Sequence, residues 1–570
     1  MTTLVGKRWL PWVVLALLFA ACSENGERAA ARFELLAQVP AETPYVFAAG
    51  RPLPDAVSRH FLKTLALGEA DRGIRIANRV AQAKGPDQAR PWRLLAALEA
   101  ELEGRLTPEG LASLGFPLSG RSLLYGLGPL PVLWLEIEDP QRVEALLDRV
   151  EARAQEPAQR LEAQGLAYRR WAFGKLVAVA AVRDRYLVLA VLPQAAETEL
   201  LPLALGLIRP ERSLADTGAF REFVAGRGYQ GHGDGYLDLA RWVALMLGEA
   251  GGVNARVAKA LGLKPAVAGE ACRELARHLV GAVPRIAVGY LQASETGYTL
   301  EAALETSPAV GRWLERLAAF VPGLGADEAA IFSVGLALDL PTLRDALRAA
   351  FNDILARGEG CEHVDAAALT SAMQSLELAL NPMVAGIRGV NLTLEEIELD
   401  AETRAPRSAR GRLLISTVDP RGLLGMAVVL DPRVATLQVP ADGTPVLLPL
   451  SGVTSAVPLW VAVRGEVLGL FAGEQKPEDA ARRLQAPPAD PHLLFVLDYD
   501  VGKLLARVGP SLEEAVQGAA GAEAEETRAF YRAVEETARL YRRIRVEVLG
   551  LKRGLTLRTT VRFDPEPPRP

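Results

Sequence analysis

Apolar residues follow two different periods along this chain, and short polar turns separate many of the apolar stretches. The apolar runs 176–182 and 186–192 are separated by only three residues, and turns this short join antiparallel strands. Other stretches, such as 140–150, place apolar residues three and four positions apart, which is typical of an amphipathic helix. The pattern predicts an α+β fold, a mainly antiparallel sheet with helices packed on it. A parallel, doubly wound sheet is disfavoured because its crossovers need about a dozen residues or more.

The order of these patterns is the same in the two halves of the chain. Three kinds of segment occur once in each half: a strand leading into a helix at 135–150 and 415–426, a second such segment at 236–247 and 496–508, and a hairpin at 285–300 and 543–557. One such match arises readily by chance, whereas three in the same order predict a duplication. We therefore expect two related repeats, each with its own sheet and helices.

Proline and glycine mark the expected boundary between the repeats. Pro322, Gly323 and Gly325 interrupt the chain before a new strand-to-helix unit. The predicted organisation is a signal peptide at 1–21, a lipidated cysteine and tether at 22–32, repeat unit 1 at 33–320 with a helical insertion near 55–106, a linker at 321–326, repeat unit 2 at 327–565 and a tail at 566–570.

The N-terminus carries the pattern of an export signal. Lys7 and Arg8 precede an uncharged apolar run at 9–21, which is shorter than the roughly 20 residues that span a bilayer. Its end, with two alanines before Cys22, resembles the lipobox of bacterial lipoproteins. The resemblance implies that Cys22 carries acyl chains that anchor the body to a membrane, and Ser23 in the position of the usual inner-membrane aspartate implies the outer membrane, facing the periplasm. A plain secretory signal with an incidental cysteine is the alternative.

Three further segments resemble an uncharacterised family of exported, often lipid-anchored bacterial proteins. They are PAETPYVF at 40–47, PERSLAD at 210–216 and GYLDL at 235–239. The repeats of that family carry a domain of unknown function and have no established catalytic residues. The resemblance therefore implies an envelope compartment and a repeated architecture, and it implies no active-site residue.

Composition narrows the range of functions. The 570 residues carry 64 basic and 69 acidic side chains, a formal net charge of −5, so a role dominated by contacts to nucleic-acid phosphates is disfavoured. The length is several times what one typical core supports, which agrees with two units. Only five His and three Cys are present, and we predict no metal site and no cofactor.

Cys272 and Cys361 are the two cysteines that remain if Cys22 is lipidated. In an oxidising compartment an even pair predicts a disulfide, which would join the two halves of the chain. Two free buried thiols are one alternative, and a zinc site formed together with His278 and His363 is another. The spacing of these residues matches no zinc-finger pattern.

A glycine-rich segment matches a nucleotide-binding motif in the wrong context. Gly226, Gly228 and Gly231 fit the pattern G-x-G-x-x-G, which in dinucleotide-binding proteins follows a strand and opens a helix. Here a helical pattern precedes the segment and a strand follows it. We therefore predict a flexible loop, in which His232 is solvated.

Four aspartates at strand-to-helix junctions have two interpretations. They could form carboxylate pairs for acid–base chemistry or a hard metal. Capping of helix N-termini explains them more simply, because proline follows two of them at the first helical position. The four are Asp139, Asp238, Asp339 and Asp419.

The sequence lacks the common catalytic motifs. It has no G-x-S-x-G, S-x-x-K or H-E-x-x-H motif. This disfavours an enzyme, although triads can assemble from distant residues.

One long segment, residues 443–463, carries no charge. Its three prolines and Gly452 would break a membrane helix. We predict two buried strands joined by a turn here, with an apolar groove or a membrane-facing edge as the alternative.

Three functional hypotheses follow. The first is a non-catalytic, outer-membrane-anchored periplasmic lipoprotein that serves as a scaffold or interaction module for an envelope protein. The second is a carrier of lipids or other hydrophobic ligands, motivated by a mean hydropathy of +0.13 and by the uncharged segment. The third is an enzyme acting on envelope polymers. The expected partners are the membrane, through the lipid anchor, and a protein or lipid, but not nucleic acid.

Overall fold

The computed structural model describes residues 31–564 apart from positions 268, 328, 381–385, 400–405, 427, 429–430, 449–456, 474–475, 508–537 and 539. Within these residues the chain forms two compact units. Unit 1 is drawn from Met1–Ala268 and Val283–Ala302, and unit 2 from Gly269–Ala282 and Ala303–Asp564. The predicted signal peptide and Cys22 lie outside the described residues, and the repeat boundary expected at 321–326 stays a prediction.

Unit 1 contains an antiparallel sheet. Its strands are β1 (Tyr45–Ala49), β2 (Ser122–Leu127), β3 (Leu130–Glu136), β4 (Gln159–Ala163), β5 (Leu166–Phe173), β6 (Leu176–Arg183), β7 (Tyr186–Pro193), β8 (His232–Asp238), β9 (Arg285–Ser294) and β10 (Gly297–Glu305), whose last residues belong to unit 2. They pair in the order β4-β5-β6-β7-β3-β2-β1-β8-β9. The first strand therefore lies between the second strand and the strand that precedes the last hairpin.

The α-helices of unit 1 connect these strands. They are α1 (Asp55–Leu67), α2 (Glu69–Ala81), α3 (Pro86–Leu102), α4 (Pro108–Ser113), α5 (Pro140–Ala154), α6 (Glu197–Ala204), α7 (Leu214–Thr217), α8 (Ala219–Arg227), α9 (Leu239–Leu247) and α10 (Gly252–Leu261). Short 3-10 helices occupy Ala31–Gln38 and Gln194–Ala196. Helices α1 to α3 lie within residues 55–106, and that this segment is an insertion stays a prediction.

The main core of unit 1 lies between these helices and one face of the sheet. Leu124 and Leu133 of the sheet belong to one buried cluster with Leu102 of α3 and Val143 of α5. Helix α5 starts directly after β3 because Asp139 accepts hydrogen bonds from the backbone of the first turn and Pro140 occupies the first helical position.

Unit 2 also has antiparallel strands of its own. Its strands are β11 (Phe332–Ala337), β12 (Ile387–Leu399), β13 (Pro406–Thr417), β14 (Val446–Leu447), β15 (Leu459–Arg464), β16 (Val467–Ala472), β17 (Leu493–Asp500), β18 (Arg543–Leu551) and β19 (Gly554–Arg562). They pair in the order β14-β15-β16-β13-β12-β11-β17-β18-β19. Here too the first strand lies between the second strand and the strand that precedes the last hairpin.

The described α-helices of unit 2 include one that comes from the middle of unit 1 in sequence. They are α11 (Glu270–Ala282), α12 (Pro308–Glu315), α13 (Leu340–Arg357), α14 (Ala366–Ala379), α15 (Pro420–Met426) and α16 (Pro477–Arg483), with a 3-10 helix at Pro432–Thr436. Helix α11 packs against α13. A disulfide between Cys272 and Cys361 joins α11 to the connection after α13.

Most local predictions are confirmed. Helices on antiparallel sheets give the α+β class. The four aspartates at strand-to-helix junctions, from Asp139 to Asp419, each accept a hydrogen bond from a backbone N–H group of the first helical turn.

The uncharged segment 443–463 contains paired strands. Strands β14 and β15 pair within it, and Val461 is fully buried. The prediction of two buried strands is wrong for β14, where Leu447 is 51% exposed. Among the described residues, no helix is both long and apolar enough to cross a membrane.

Candidate functional site: the sheet of unit 2

One face of the unit 2 sheet carries three rows of uncharged residues, and we call it the apolar face. Cross-strand register defines the rows. From β19 to β16 they contain Val561, Ile544, Tyr499, Phe332, Leu394, Gly411 and Ala472; Thr559, Val546, Leu497, Val334, Leu392, Leu413 and Leu470; and Leu557, Val548, Phe495, Leu336, Val390, Ile415 and Leu468. The rows therefore offer a continuous hydrophobic surface across seven strands.

The middle of the apolar face is open to solvent. Leu336 is 44% exposed and Leu392 is 42% exposed. Towards one end, residues of α12 pack against Val548, and towards the other, residues of α15 pack with Ile415. Helices α13 and α14, which connect β11 to β12, bury none of their own residues. Among the described residues, Leu336 and Leu392 form the exposed centre of this face, with the half-buried Val334 and Leu497 beside them, and we call these four residues the open strip.

The opposite face of the same sheet is buried, and a polar row crosses it. One residue from each of five neighbouring strands forms this buried polar row: Arg545, Asp498, Ser333, Thr393 and Arg412. Asp498, Ser333 and Thr393 are at most 3% exposed. Small apolar clusters, one with Val496 and one with Leu414, flank the row on this face.

Arginines hold the buried carboxylate of Asp498. Arg543 Nε lies 2.7 Å from Asp498 Oδ1, and Arg545 Nη1 lies 3.0 Å from Asp498 Oδ2. Arg545 also contacts Glu547 at 2.7 Å. Burial alone would lower the pKa of Arg545, but the contacts with Glu547 and Asp498 outweigh it and leave the pKa above its usual value.

Carboxylates also surround Arg412 at the other end of the row. Its guanidinium contacts Asp327 and lies 2.6 Å from Glu395 Oε1. Burial, together with the nearby Arg483, lowers the pKa of Arg412 to about 10, so it is still a cation at neutral pH. The row is thus an ion-paired layer inside the protein, and breaking such a pair leaves a buried charge without its partner.

Unit 1 has apolar or aromatic residues at the same places in its sheet. Tyr236 lies two residues before Asp238, just as Asp498 lies two residues before Asp500. Tyr236 pairs with Val46 and Ala287, where Asp498 pairs with Ser333 and Arg545. All three unit 1 residues are at most 4% exposed. The polar row is therefore a property of unit 2 and not a requirement of this strand arrangement.

The cysteines predicted to pair do form a disulfide, and they lie apart from the two sheet faces. Cys272 and Cys361 lie on either side of the predicted linker at 321–326, and both belong to the compact unit 2. His278, a candidate zinc ligand, lies 2.5 Å from Asp353 Oδ2. The described part of the chain contains no group of three or more side chains that could hold a metal ion.

The glycine-rich segment connects a helix to a strand, as predicted, but its histidine is not solvated. His232 is only 2% exposed, and its Nδ1 lies 3.1 Å from the carbonyl oxygen of Arg51. The neighbouring Asp234 is fully buried and accepts hydrogen bonds from the backbone N–H groups of Gly231 and Tyr290. Burial raises the pKa of Asp234 to about 7.

Because of these observations, the open strip is the surface best suited to bind an apolar ligand or partner. It offers aliphatic contact without ionisable groups, while the charged groups of unit 2 described above are paired on the other face. Sequence reasoning named none of these residues as a site, and the uncharged segment 443–463 that it did single out contributes strands at the far end of the same sheet. No protein-family model, no curated protein and no solved structure matches this chain.

Proposed function

We propose that this protein is an exported, membrane-tethered carrier of hydrophobic molecules, in which the open strip of unit 2 binds acyl chains. The proposal depends on one observation, the inverted sheet of unit 2. Soluble domains bury large apolar side chains and leave polar ones to solvent. Here the polar row is buried while Leu336 and Leu392 are more than 40% exposed. Contiguous exposed apolar surface marks a binding site for a ligand, a membrane or a protein.

We further propose that the two units are copies of one ancestral repeat. Apart from β4, which has no counterpart in unit 2, their strands pair in the same order, and a helical connection follows the first strand in each. In this correspondence Leu392 of β12 matches Leu124 of β2, since each faces the third residue of the first strand. Leu124 is 4% exposed and Leu392 is 42% exposed. The contrast supports a binding role, because helices cover this face in unit 1.

An acyl chain is the occupant that fits the open strip best. The strip has no charged residue and no donor or acceptor on its side chains, so it can recognise only apolar area. Burial of apolar area contributes roughly 25 cal/mol per Å², which favours a long hydrocarbon over a small polar ligand. The predicted lipid anchor at Cys22 would hold the protein close to a bilayer that supplies such chains.

Phospholipid transfer between vesicles tests the proposal. The purified full chain is mixed with donor vesicles of phosphatidylethanolamine and phosphatidylglycerol that contain a fluorescent phospholipid, and transfer to acceptor vesicles is followed. We expect transfer above the spontaneous rate, and a bound phospholipid by native mass spectrometry. Leu336→Asp and Leu392→Asp each place a charge in the strip, and we expect each to reduce transfer at least fivefold.

Ile74→Asp is the matched control, because Ile74 is 61% exposed on α2 of unit 1. This variant introduces the same charge on an apolar position outside the strip and should transfer lipid like the wild type. A wild-type protein that takes up no added phospholipid would overturn the proposal. So would equal transfer by all four proteins.

The first hypothesis, a scaffold or interaction module, remains the second candidate, because an apolar protein surface could also cover the open strip. Photo-crosslinking in intact cells separates the two, with benzoylphenylalanine in place of Leu392. Adducts with phospholipid support the carrier, whereas one discrete protein adduct supports the interaction module. The third hypothesis, an enzyme acting on envelope polymers, stays a prediction.

A further inference from the structure

Unit 1 also has exposed apolar residues, at the end of α9 and in the chain that follows α10. Helix α9 carries one charged residue, yet only Leu245 and Leu247 of its nine residues are buried. Met246 of this helix is 47% exposed, and Leu263, just after α10, is 48% exposed. Single exposed apolar residues are ordinary on a protein surface, whereas a contiguous group of them marks a binding site.

Backbone contacts bring these two segments together. The N–H group of Ala266 donates a hydrogen bond to the carbonyl oxygen of Met246 at 2.8 Å. Helix α9 ends at Gly248, whose φ of 74° suits glycine, and a Cβ at this position would lie 3.1 Å from Cγ of Pro265. The half-buried and exposed apolar residues of the two segments therefore lie side by side, and we call them the apolar tip: Val243, Met246, Leu261, Leu263, Pro265 and Ala266.

The charged residues around the apolar tip are mostly basic. Lys259 and Lys264 are both exposed and flank the two leucines of the tip in sequence. The chain between residues 239 and 269 has one acidic residue, Glu249. Its other two basic residues are arginines, and each forms an ion pair with a carboxylate outside this range. The tip thus combines apolar area with local positive charge.

We infer that the apolar tip docks unit 1 on a bilayer that contains anionic phospholipid. The side chains of Met246 and Leu263 enter the boundary of the acyl region, and Lys259 and Lys264 contact the headgroup phosphates. Peripheral segments bind membranes through this combination of buried apolar area and basic side chains. The net charge of the whole chain is −5, but screening over about 8 Å at physiological ionic strength leaves the local charges to decide.

A bilayer fits the apolar tip better than a protein partner does. Binding energy at protein interfaces comes mostly from Trp, Tyr and Arg side chains, whereas the tip is aliphatic apart from the thioether of Met246. Trp242, the aromatic residue of α9, stacks on Tyr45 with 6.2 Å between ring centroids. Lysine side chains can also reach headgroups while their hydrocarbon stems stay beside apolar neighbours.

This inference does not rest on the proposed function. The apolar tip belongs to unit 1 and the open strip to unit 2. The tip attaches the protein to a membrane surface, whereas the strip takes up single lipids. A protein that docks without transferring lipid, or transfers lipid without docking through the tip, would refute one proposal and leave the other standing.

A fluorescent probe in the apolar tip tests the inference. The purified full chain carries Cys22→Ser and Leu263→Cys, so that the thiol at position 263 is the one outside the disulfide, and this thiol is labelled with the dye NBD. With vesicles of phosphatidylethanolamine and phosphatidylglycerol we expect the emission to rise and shift to the blue. Phospholipids that carry a doxyl quencher on the acyl chain should quench it. Vesicles of phosphatidylcholine alone should need at least about tenfold more lipid for the half-maximal response.

The two lysines are tested in the same labelled protein. Lys259→Gln/Lys264→Gln should raise the lipid concentration for the half-maximal response at least about tenfold, because each lysine near an anionic surface contributes about fivefold in affinity. Lys84→Gln/Lys175→Gln removes the same charge from two other exposed lysines of unit 1. This control should stay within about twofold of the labelled protein with all its lysines.

A probe at Ile74→Cys is the control for position, because Ile74 is 61% exposed on α2 of the same unit. We expect this probe not to respond to vesicles. A probe at position 263 that responds no more than the probe at position 74 would overturn the inference, and so would an equal response with and without Lys259 and Lys264. If benzoylphenylalanine in place of Met246 crosslinks one discrete protein in intact cells and no phospholipid, the tip is a protein interface and the inference is wrong.

Discussion

Asp498 and Arg545 face each other across neighbouring antiparallel strands, with Arg545 Nη1 3.0 Å from Asp498 Oδ2, on the buried face of a sheet whose other face is apolar and partly open. In unit 1 the corresponding pair is Tyr236 and Ala287. Arg285 of unit 1 stacks on the ring of Tyr236 at 4.5 Å, and Arg543 at the matching place in unit 2 pairs with Asp498. One arrangement of strands thus tolerates both a cation–π core and an ion-paired one.

The first prediction concerns this pair. Asp498→Ala leaves Arg543 and Arg545 close together without their shared carboxylate, and we expect the free energy of unfolding to fall by about 3–5 kcal/mol. The double variant Asp498→Tyr/Arg545→Ala copies unit 1 and gives Arg543 an aromatic face. We expect it to be more stable than Asp498→Ala, since it removes one of the two guanidinium charges that lose the buried carboxylate. Urea unfolding of the full chain, followed by circular dichroism, measures both.

Asp345→Ala on the exposed surface of α13 is the control for this experiment. Its carboxylate is 60% exposed beside Arg344 and Arg348, and surface pairs contribute at most about 1 kcal/mol. If the double variant is no more stable than Asp498→Ala, the correspondence between Asp498 and Tyr236 is wrong.

The second prediction concerns the pH dependence of unit 1. Burial raises the pKa of Asp234 from 3.8 to about 7, so between these values the folded state holds a proton that the unfolded state has lost. The stability contribution of this group is therefore complete below about pH 3.8 and is lost as the pH rises through 7, at about 1.4 kcal/mol per pH unit. Asp234→Asn cannot titrate. We expect the variant to gain stability relative to the wild type between pH 5 and pH 8.

His60 contributes the opposite slope at lower pH. Burial, with Lys63 nearby, lowers its pKa from 6.5 to about 4, so its contribution is lost as the pH falls below 6.5 and towards 4. The comparison therefore uses the difference between Asp234→Asn and the wild type, in which His60 cancels. Parallel stability profiles for the two proteins over pH 5–8 would show that Asp234 is already ionised at pH 5.

The amphipathic character of the unit 2 strands was visible in the sequence, but the buried side was not. Arg543, Arg545 and Glu547 alternate with Ile544, Val546 and Val548, and this period of two shows which residues share a face. It does not show which face is covered. That depends on distant segments, such as Val321 and Leu324, which pack on the same buried face as Val496. The usual assumption that the charged side faces solvent fails here for that reason.

Local signals were predicted more reliably than distant contacts. Asp139 and Asp339 were identified as N-caps because the cap and its helix are adjacent in sequence. His232 was expected in solvent because its loop is rich in glycine, yet its partner is the backbone of Arg51, about 180 residues earlier. The open strip combines three strands from separate parts of unit 2, so no motif marks it.

The third prediction concerns the N-terminal cysteine. Cys22→Ser should abolish incorporation of labelled palmitate, because it removes the side chain that the resemblance assigns to acylation. Ser23→Asp should keep the label but shift the protein to the inner membrane, if the resemblance to lipoprotein sorting signals holds. A Cys22→Ser protein that still takes up label would refute lipidation at this residue.

The last prediction concerns the disulfide. Cys272 and Cys361 are separated by 89 residues, and in the loop-entropy model a bridge of this span stabilises a protein by about 4–5 kcal/mol. Cys272→Ser/Cys361→Ser should therefore lower the free energy of unfolding by a comparable amount. The effect should appear in unit 2, where α11 loses its covalent link to the connection after α13. Urea unfolding with and without reductant checks the magnitude: reduction should destabilise the wild type and leave the double variant unchanged. Thiol counting on the denatured, unreduced wild type should find both cysteines unreactive, and two reactive thiols would contradict the bond directly.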